Sequence, residues 1–403
     1  MGQSNNNKPA IEGGSPVRKA PLPFFRAALD ERDVESVTEA LRSGWLTVGP
    51  RTEQLEREIA EYVGVDHVVA VSSCSEAMFL ALKALDVGPG DEVITSCLTF
   101  ASTVHAIIHT GAKPILVDIE PETFGMDPDQ VRAKITDRTK TVLPVHFGGQ
   151  ACRIEEICDL ARQKGLSVVE DAAHSFGAGA GGKLLGGFGD ATAFSFYATK
   201  NMTTGEGGAV STSNGELASQ VRLYSYHGMS RDSWERYADR GAWYYEVEVA
   251  GYKCNMNDIL SSLGLSQLAR IDHLLERRRA VAQLLNNGLR ESPFFELPAE
   301  REGNQHTWHL YVIQLNLDRL TIDRDRFTKA LTEEHIGNSV HFIPVYRHPF
   351  YVPFGESPAN FPGCEAYFSR CISLPIYPDM DEGDVDDIVI ALNKIATYYS
   401  RGV

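Results

Sequence analysis

The chain has 403 residues, 43% of them hydrophobic, enough for a large core and two domains and too apolar for a disordered chain. Its formal net charge of −16 argues against nucleic acid or an anionic membrane as the main partner. Seven scattered cysteines with no CxxC pair point to a reducing cytoplasm rather than a disulfide framework or a zinc site.

Residues 1–20 read as a mobile arm. Met1 to Lys8 are polar and Asn-rich and lack the apolar core of a signal peptide. The Met-Gly start does not suit myristoylation, because Asn6 stands where Ser or Thr is wanted. No apolar run is long enough to cross a membrane. Asp30 reads as the N-cap of a helix through Leu41, with Gly44 past its end. The stretch Gly44-Trp45-Leu46-Thr47-Val48-Gly49-Pro50 predicts a shaped loop, followed by a helix from about 52 to 62.

Strands and helices then alternate. Apolar runs fall at 67–71, 92–96, 114–119, 140–146 and 167–171, with helical patterns between several of them, including 75–85 and 154–164. This rhythm predicts a largely parallel sheet covered by helices. Residues 176–190 are glycine-rich; 191–197 and 208–212 read as strands and 214–226 as a helix. Residues 228–250 lack periodicity and predict an irregular excursion. A long helix over 257–289, broken near Arg270, links the large domain (21–255) to a smaller α+β domain (291–403) through a linking region at 256–290. The smaller domain reads as a strand (308–315), a helix (324–335), a strand (339–343), a Pro/Tyr-rich loop (344–362) and a last helix (383–398).

The chemistry concentrates in a few places. Val168 to Asp171 is an apolar strand ending in a carboxylate, and Lys200 lies about thirty residues on, between the run Ser195-Phe196-Tyr197 and a glycine-bearing turn. That pairing suits pyridoxal phosphate (PLP): the lysine amine forms a Schiff base with the aldehyde, and the carboxylate keeps the pyridinium protonated as an electron sink. A strand-end carboxylate also suits a plain helix N-cap. Ser73, Cys74 and Ser75 stand where a strand turns into a helix, a natural anion site for the cofactor phosphate, though an ordinary Ser cap explains them too. Ser195 is a second phosphate donor, and Phe100, at a strand end, can stack on a flat ring.

Two nucleotide motifs are rejected. Gly177 to Gly182 satisfies GxGxxG, but Lys183-Leu184-Leu185-Gly186-Gly187 cannot open a good helix. Leu184 stands where a P-loop needs Ser or Thr. His105 and His109, four apart on a helix, form a lone pair without further metal ligands, so no metal site is expected.

The chain resembles the DegT/StrS-type sugar aminotransferases, PLP enzymes of fold type I. The resemblance runs from Gly44-Trp45-Leu46-Thr47 to Ser373-Leu374-Pro375 and is most specific at Glu170-Asp171-Ala172-Ala173-His174, at Ser195 to Gly208 and at Gly251 to Asp258. It is similar to enzymes that aminate UDP-4-keto-pentose for lipid A modification. The resemblance implies a large, mostly parallel α/β/α domain with a smaller C-terminal α+β domain. Lys200 would form the Schiff base, Asp171 would pair with the ring nitrogen, and His174 would sit near the ring hydroxyl, where many relatives carry Gln. Phe100 would stack on the ring. Cys74, Ser75 and Ser195 would hold the phosphate, joined by Asn255 from a neighbouring subunit, which implies a homodimer with shared sites. Cys74-Ser75-Glu76 departs from the commoner Gly-Thr or Ala-Thr pattern and leaves the phosphate donors open. Thr47 and His341 would line the substrate side. Because Lys200 is present, the family's lysine-lacking dehydratase branch does not fit.

The expected reaction passes an amino group from glutamate to a nucleotide-linked keto sugar in amino-sugar synthesis, in lipopolysaccharide, capsule or antibiotic pathways. Lys253 and Arg231 are placed near the sugar diphosphate. Three alternatives stand beside it: a non-nucleotide ketone such as a cyclitol or aminobenzoate precursor, a PLP-binding regulator without turnover, and an NAD-dependent enzyme using the glycine-rich loop.

Overall fold

The computed structural model describes residues 8–229 and 245–401. Helices α1 (Glu31–Ser43) and α2 (Pro50–Val63) precede the sheet. The Asp30 side chain accepts the Arg32 N–H at 2.9 Å and receives the reciprocal cap from Asp33, so α1 starts where the sequence placed it.

The alternating segment then builds β1 (His67–Val71), α3 (Cys74–Ala84), β2 (Glu92–Ser96), α4 (Ala101–Thr110), β3 (Lys113–Val117), α5 (Pro128–Lys134), β4 (Thr139–Leu143), α6 (Ile154–Lys164) and β5 (Ser167–Asp171). Past the glycine-rich stretch come the two-residue strands β6 (Gly179–Ala180) and β7 (Lys183–Leu184), then β8 (Ala191–Ser195), β9 (Gly208–Thr212) and α7 (Gly215–Ser225). The sheet order is β1-β9-β8-β5-β4-β2-β3. Strands β3, β2, β4, β5 and β8 run parallel, and β9 is antiparallel to both of its neighbours.

Successive strand residues point to opposite faces, and both faces are apolar because both are covered. Val69, Val93, Leu143, Val169, Ala193 and Val210 pack on one side with Leu80, Ile107 and Val221. Val68, Ala70, Phe194 and Ala209 face the other way, against Leu55 and Ile59 of α2.

The glycine-rich stretch folds into a small hairpin, with Gly181 and Gly182 at φ +56° and +80° in its turn. It forms no strand-to-helix phosphate loop, and the Lys183 amine bonds the Gly187 carbonyl at 2.6 Å.

The predicted long helix is two: α8 (Asp258–Leu268) and α9 (Ile271–Leu289). Between them Arg270 turns its guanidinium to Asp30, at 2.9 Å, and to Asp33. Helix α8 packs on the large sheet's core, while Val281, Leu285 and Leu289 of α9 enter a second core. That core also takes β10 (Phe295–Glu296), β12 (Tyr311–Leu315), α10 (Arg324–Glu333), β13 (Cys371–Leu374) and α12 (Glu382–Tyr398). Strand β11 (Asn304–Gln305) instead pairs with β6 of the hairpin, and α11 (Pro362–Phe368) precedes β13.

Two sequence expectations fare differently. The strand read at 339–343 is a single bridge, Ser339 to Ser373; beyond it His341 turns towards Phe24 and Phe342 towards His174 instead of pairing. Residues 10–18, read as part of a mobile arm, are tied to the C-terminal core. The buried Glu334 carboxylate accepts the N–H groups of Ala10 and Val17, both at 2.8 Å, and Arg18 pairs with Asp384 and Asp387. Local composition in the arm carried no sign of a buried carboxylate more than 300 residues away. Of the excursion predicted at 228–250, residues 230–244 lie outside the described residues.

Candidate active site

Parallel strands deliver their C-terminal ends to one edge of the sheet, the usual ligand position in such folds. Asp171 ends β5 and Ser195 ends β8, side by side on that edge. Between β8 and β9 the chain makes an irregular loop. Phe196 N–H bonds Gly207 O and Lys200 N–H bonds Tyr197 O, each at 2.9 Å, so Lys200 sits on a pinned turn. Gly205 at φ +82° closes the loop where a side chain would strain it.

The Lys200 ammonium is pulled down to about 8 by burial, with the Asp171 carboxylate opposing. Cys74 lies near both groups, but burial holds its own thiol well above the usual range, so it adds no charge at neutral pH. Asp171 is 5% exposed. Burial raises its carboxyl, while the Thr103 hydroxyl at 2.7 Å, the Ala173 N–H at 3.1 Å and the Lys200 charge hold it down. Thr99 extends the relay to Thr103 at 2.6 Å.

His174 faces this pair. Its Nδ1 accepts the Gly148 N–H at 3.3 Å, so the neutral ring carries its proton on Nε2. Burial, then Lys200 and His341, push it well below the ordinary imidazole range. Phe147 and Phe342 pack around it, with ring centroids 6.0 and 5.7 Å away.

At the start of α3 the Ser73 hydroxyl accepts the Glu76 N–H at 3.2 Å, an ordinary cap. Cys74 points inward to the Ala193 carbonyl at 3.5 Å, and Ser75 is exposed. Gly208 lies directly beneath: a Cβ there would stand 2.5 Å from Cys74 N and from Ser73 C. The helix start and β9 therefore touch backbone to backbone, which places Ser75 and the free N–H groups of α3 beside Ser195 and Lys200. Phe100, 61% exposed, caps α4 with its ring 5.9 Å from Phe342.

Other expected residues lie further out. Asn255 bridges Val71 of its own chain and turns its amide to Met256 O at 2.9 Å, with the Lys253 amine on its oxygen. Lys253 stands over the Tyr226 ring at 4.3 Å. Thr47 is exposed, in a loop where the Trp45 indole bonds Val48 O at 3.0 Å. His341 bonds Ser373 Oγ at 2.8 Å, and burial with the Lys200 charge brings it down to about 4. Arg231 lies outside the described residues. His105 and His109 stack on one another.

Sequence reasoning missed Thr103, Gly208 and His309. Thr103 stands four residues after Thr99 across a helix start, a spacing that could have flagged it. Gly208 was visible as a strand residue and as the end of the Ser195 to Gly208 stretch, with no sign of its contact with the helix start. His309 was absorbed into a strand that in fact begins at Tyr311.

A buried amine with a lowered pKa, a buried carboxylate near it, a helix N-terminus and an exposed aromatic meet the needs of PLP: a Schiff-base lysine, a ring-nitrogen partner, a phosphate seat and a stacking face. The fold and site define a fold type I PLP aminotransferase. The sequence profile of the DegT/DnrJ/EryC1/StrS aminotransferase family matches residues 27–393, and the chain belongs to that family. It is 48% identical to the spore coat polysaccharide biosynthesis protein SpsC of Bacillus subtilis over 93% of this chain and 97% of that one. Among solved structures it is similar to Spr1654 of Streptococcus pneumoniae in its PMP form, with a TM-score of 0.89 and 31% identity, covering 94% of this chain and all of that one. It is also similar to Helicobacter pylori PseC, an aminotransferase involved in pseudoaminic acid biosynthesis, with a TM-score of 0.87 and 28% identity, covering 94% of this chain and 100% of that one. The chain is thus a PLP-dependent sugar aminotransferase of amino-sugar biosynthesis. None of its described helices is long and apolar enough to cross a membrane.

Proposed function

We propose that the protein moves an amino group from glutamate to a nucleotide-linked keto sugar. The observation that carries the site assignment is the Lys200 amine, buried and with its pKa near 8, beside the Asp171 carboxylate. Bound PLP supplies an electron sink for charge that develops at the substrate carbon. Lys200 would be the residue that holds the cofactor, and its uncharged amine would move the proton at the substrate carbon. Asp171 would keep a proton on the ring nitrogen, and the Thr103 hydroxyl holds that carboxylate in place. Ser75, Ser195 and the first N–H groups of α3 would seat the phosphate, Phe100 would cover the ring, and His174 would offer its Nε2 proton to the ring hydroxyl.

Thr47, His341 and Lys253 line the acceptor side in this reading. A homodimer would bring Asn255 to the neighbour's phosphate seat, in keeping with side-chain hydrogen bonds that go to Lys253 and Met256 and not to Lys200, Asp171 or Ser195 of its own chain among the described residues. The seven unpaired cysteines suit a cytoplasmic setting.

The test offers UDP- and dTDP-linked 4-keto sugars to the protein loaded with pyridoxamine phosphate. Return of the yellow cofactor band with at least one of them, and of an amino sugar by mass, is expected. A return only with a cyclitol ketone or another non-nucleotide acceptor would overturn the acceptor class. Lys200→Ala abolishes turnover; wild-type turnover in that variant would overturn the catalytic assignment.

A further inference from the structure

His309 sits just before β12 and is held inward from several directions. Leu310 N–H bonds Gly148 O at 3.0 Å and Thr307 N–H bonds Gly149 O at 2.8 Å. Between them Trp308 adopts φ +52°, a conformation that a bulky residue reaches only when its surroundings enforce it. Here they do: the His306 and Trp308 rings stack at 4.0 Å, and the Trp308 N–H bonds His306 Nδ1 at 2.8 Å. The Gly149 backbone leaves no slack, since a Cβ there would come within 2.8 Å of His309 N. The strained turn drives the His309 ring to 4.5 Å from the His174 ring.

His309 is only 7% exposed, yet its Nδ1 is buried without a hydrogen-bond partner among the described residues. Behind it Arg278 is fully buried on two carbonyls, Trp308 O at 3.3 Å and Ile376 O at 2.9 Å, and no carboxylate pairs with it among the described residues. Its Nε is also unpartnered. Burial keeps His309 uncharged, and Lys200, His174, Arg278 and His341 all add to that. The wall beside Lys200 thus combines a neutral imidazole that lacks a partner with a cationic field.

We infer that His309 is a substrate-contacting residue of the proposed reaction, donating a ring N–H to the carboxylate next to the reacting carbon of the amino-acid donor. The inference rests on the aminotransferase reading above. A buried ring 4.5 Å from that of His174 and within reach of the Lys200 charge lines the wall that the reacting carbon would meet. In an amino-acid donor the α-carboxylate is one bond from that carbon, whereas in a nucleotide sugar the diphosphate is several bonds away. An unpaired buried nitrogen costs stability, and a ligand oxygen repairs it. The neutral ring also suits a site that takes two unlike substrates in turn. It donates to a carboxylate and equally to a sugar hydroxyl, whereas an arginine at this position would favour the anion alone.

The test uses the PLP-loaded protein and two variants, His309→Ala and His309→Gln, the second keeping an N–H donor. Calorimetric titration with glutarate, a dicarboxylate that cannot react, reads binding directly; the glutamate-driven loss of the visible band reads the half-reaction. A charge-assisted hydrogen bond predicts roughly 10- to 100-fold weaker glutarate binding and a matching rise in the half-saturating glutamate concentration for His309→Ala. His309→Gln recovers part of the loss, and the visible band of both variants before donor addition is unchanged. Wild-type affinity for both ligands in His309→Ala would overturn the inference, as would loss of PLP from both variants, which would make His309 a cofactor-holding group. A wild-type protein that binds no PLP would instead overturn the reading beneath it.

Discussion

Replacing Thr103 with valine removes one hydroxyl and keeps the side-chain shape. That hydroxyl donates to Asp171 at 2.7 Å in a fully buried setting and is itself tied to Thr99 at 2.6 Å. Burial already raises the Asp171 carboxyl, and Thr103 is the largest opposing influence. A hydrogen bond to a charged acceptor is worth roughly 1.5–3 kcal/mol, and one pK unit is about 1.4 kcal/mol, so the Asp171 pKa should rise by about 1–2 units. Asp171 must be ionised to keep the ring nitrogen protonated. The acid limb of the glutamate half-reaction, followed by absorbance from pH 5 to 9, therefore moves up by the same amount. Thermal unfolding in parallel separates this from a general loss of structure. An acid limb that stays in place while the variant remains folded and loaded would refute the relay from Thr103 to Asp171.

Further outcomes follow from the same geometry. The uncharged Lys200 amine is the nucleophile, so the rate of PLP capture by the apoprotein climbs with pH and levels off above pH 8, because its pKa lies at about 8; a climb continuing to about pH 10.4, the value of an exposed lysine, would contradict its burial. Gly208→Ala forces a methyl into the Ser73–Cys74 backbone and should cost roughly 1–3 kcal/mol in denaturant unfolding while weakening PLP affinity; unchanged PLP binding would contradict the close contact of β9 with the helix start. Glu334→Gln leaves the Lys394 amine without its carboxylate in a closed setting and should cost roughly 3–5 kcal/mol. Limited proteolysis should then cut within residues 8–20, and equal resistance in both forms would argue against the anchor.

The alternation of apolar runs and helical patterns over 67–171 placed five strands to within a few residues, because buried parallel strands are apolar on both faces and stand out from amphipathic helices. The same logic failed at 339–343, where Val340-His341-Phe342 has a strand's composition but serves the cleft wall, and composition does not reveal a pairing partner. Asp171 and Lys200 were legible because an apolar strand and a tight turn frame two ionisable groups. Thr103 and His309 were not: one acts through a hydrogen bond across 68 residues, the other through a turn at Trp308 set by contacts with Gly148 and Gly149. Such long-range contacts leave no local periodicity to read. The N-terminal arm shows the same limit, since its anchor, Glu334, lies on the far side of the chain.

Everything proposed for the site depends on Lys200 carrying the cofactor. The most direct measurement is borohydride reduction of the PLP-loaded protein followed by peptide mass mapping, for wild type and Lys200→Ala. A pyridoxyl mass on the peptide containing Lys200 is expected, with its absence when glutamate is added before the reductant and no modified peptide in the variant. A pyridoxyl group on another lysine, or the same labelling in Lys200→Ala, would contradict it.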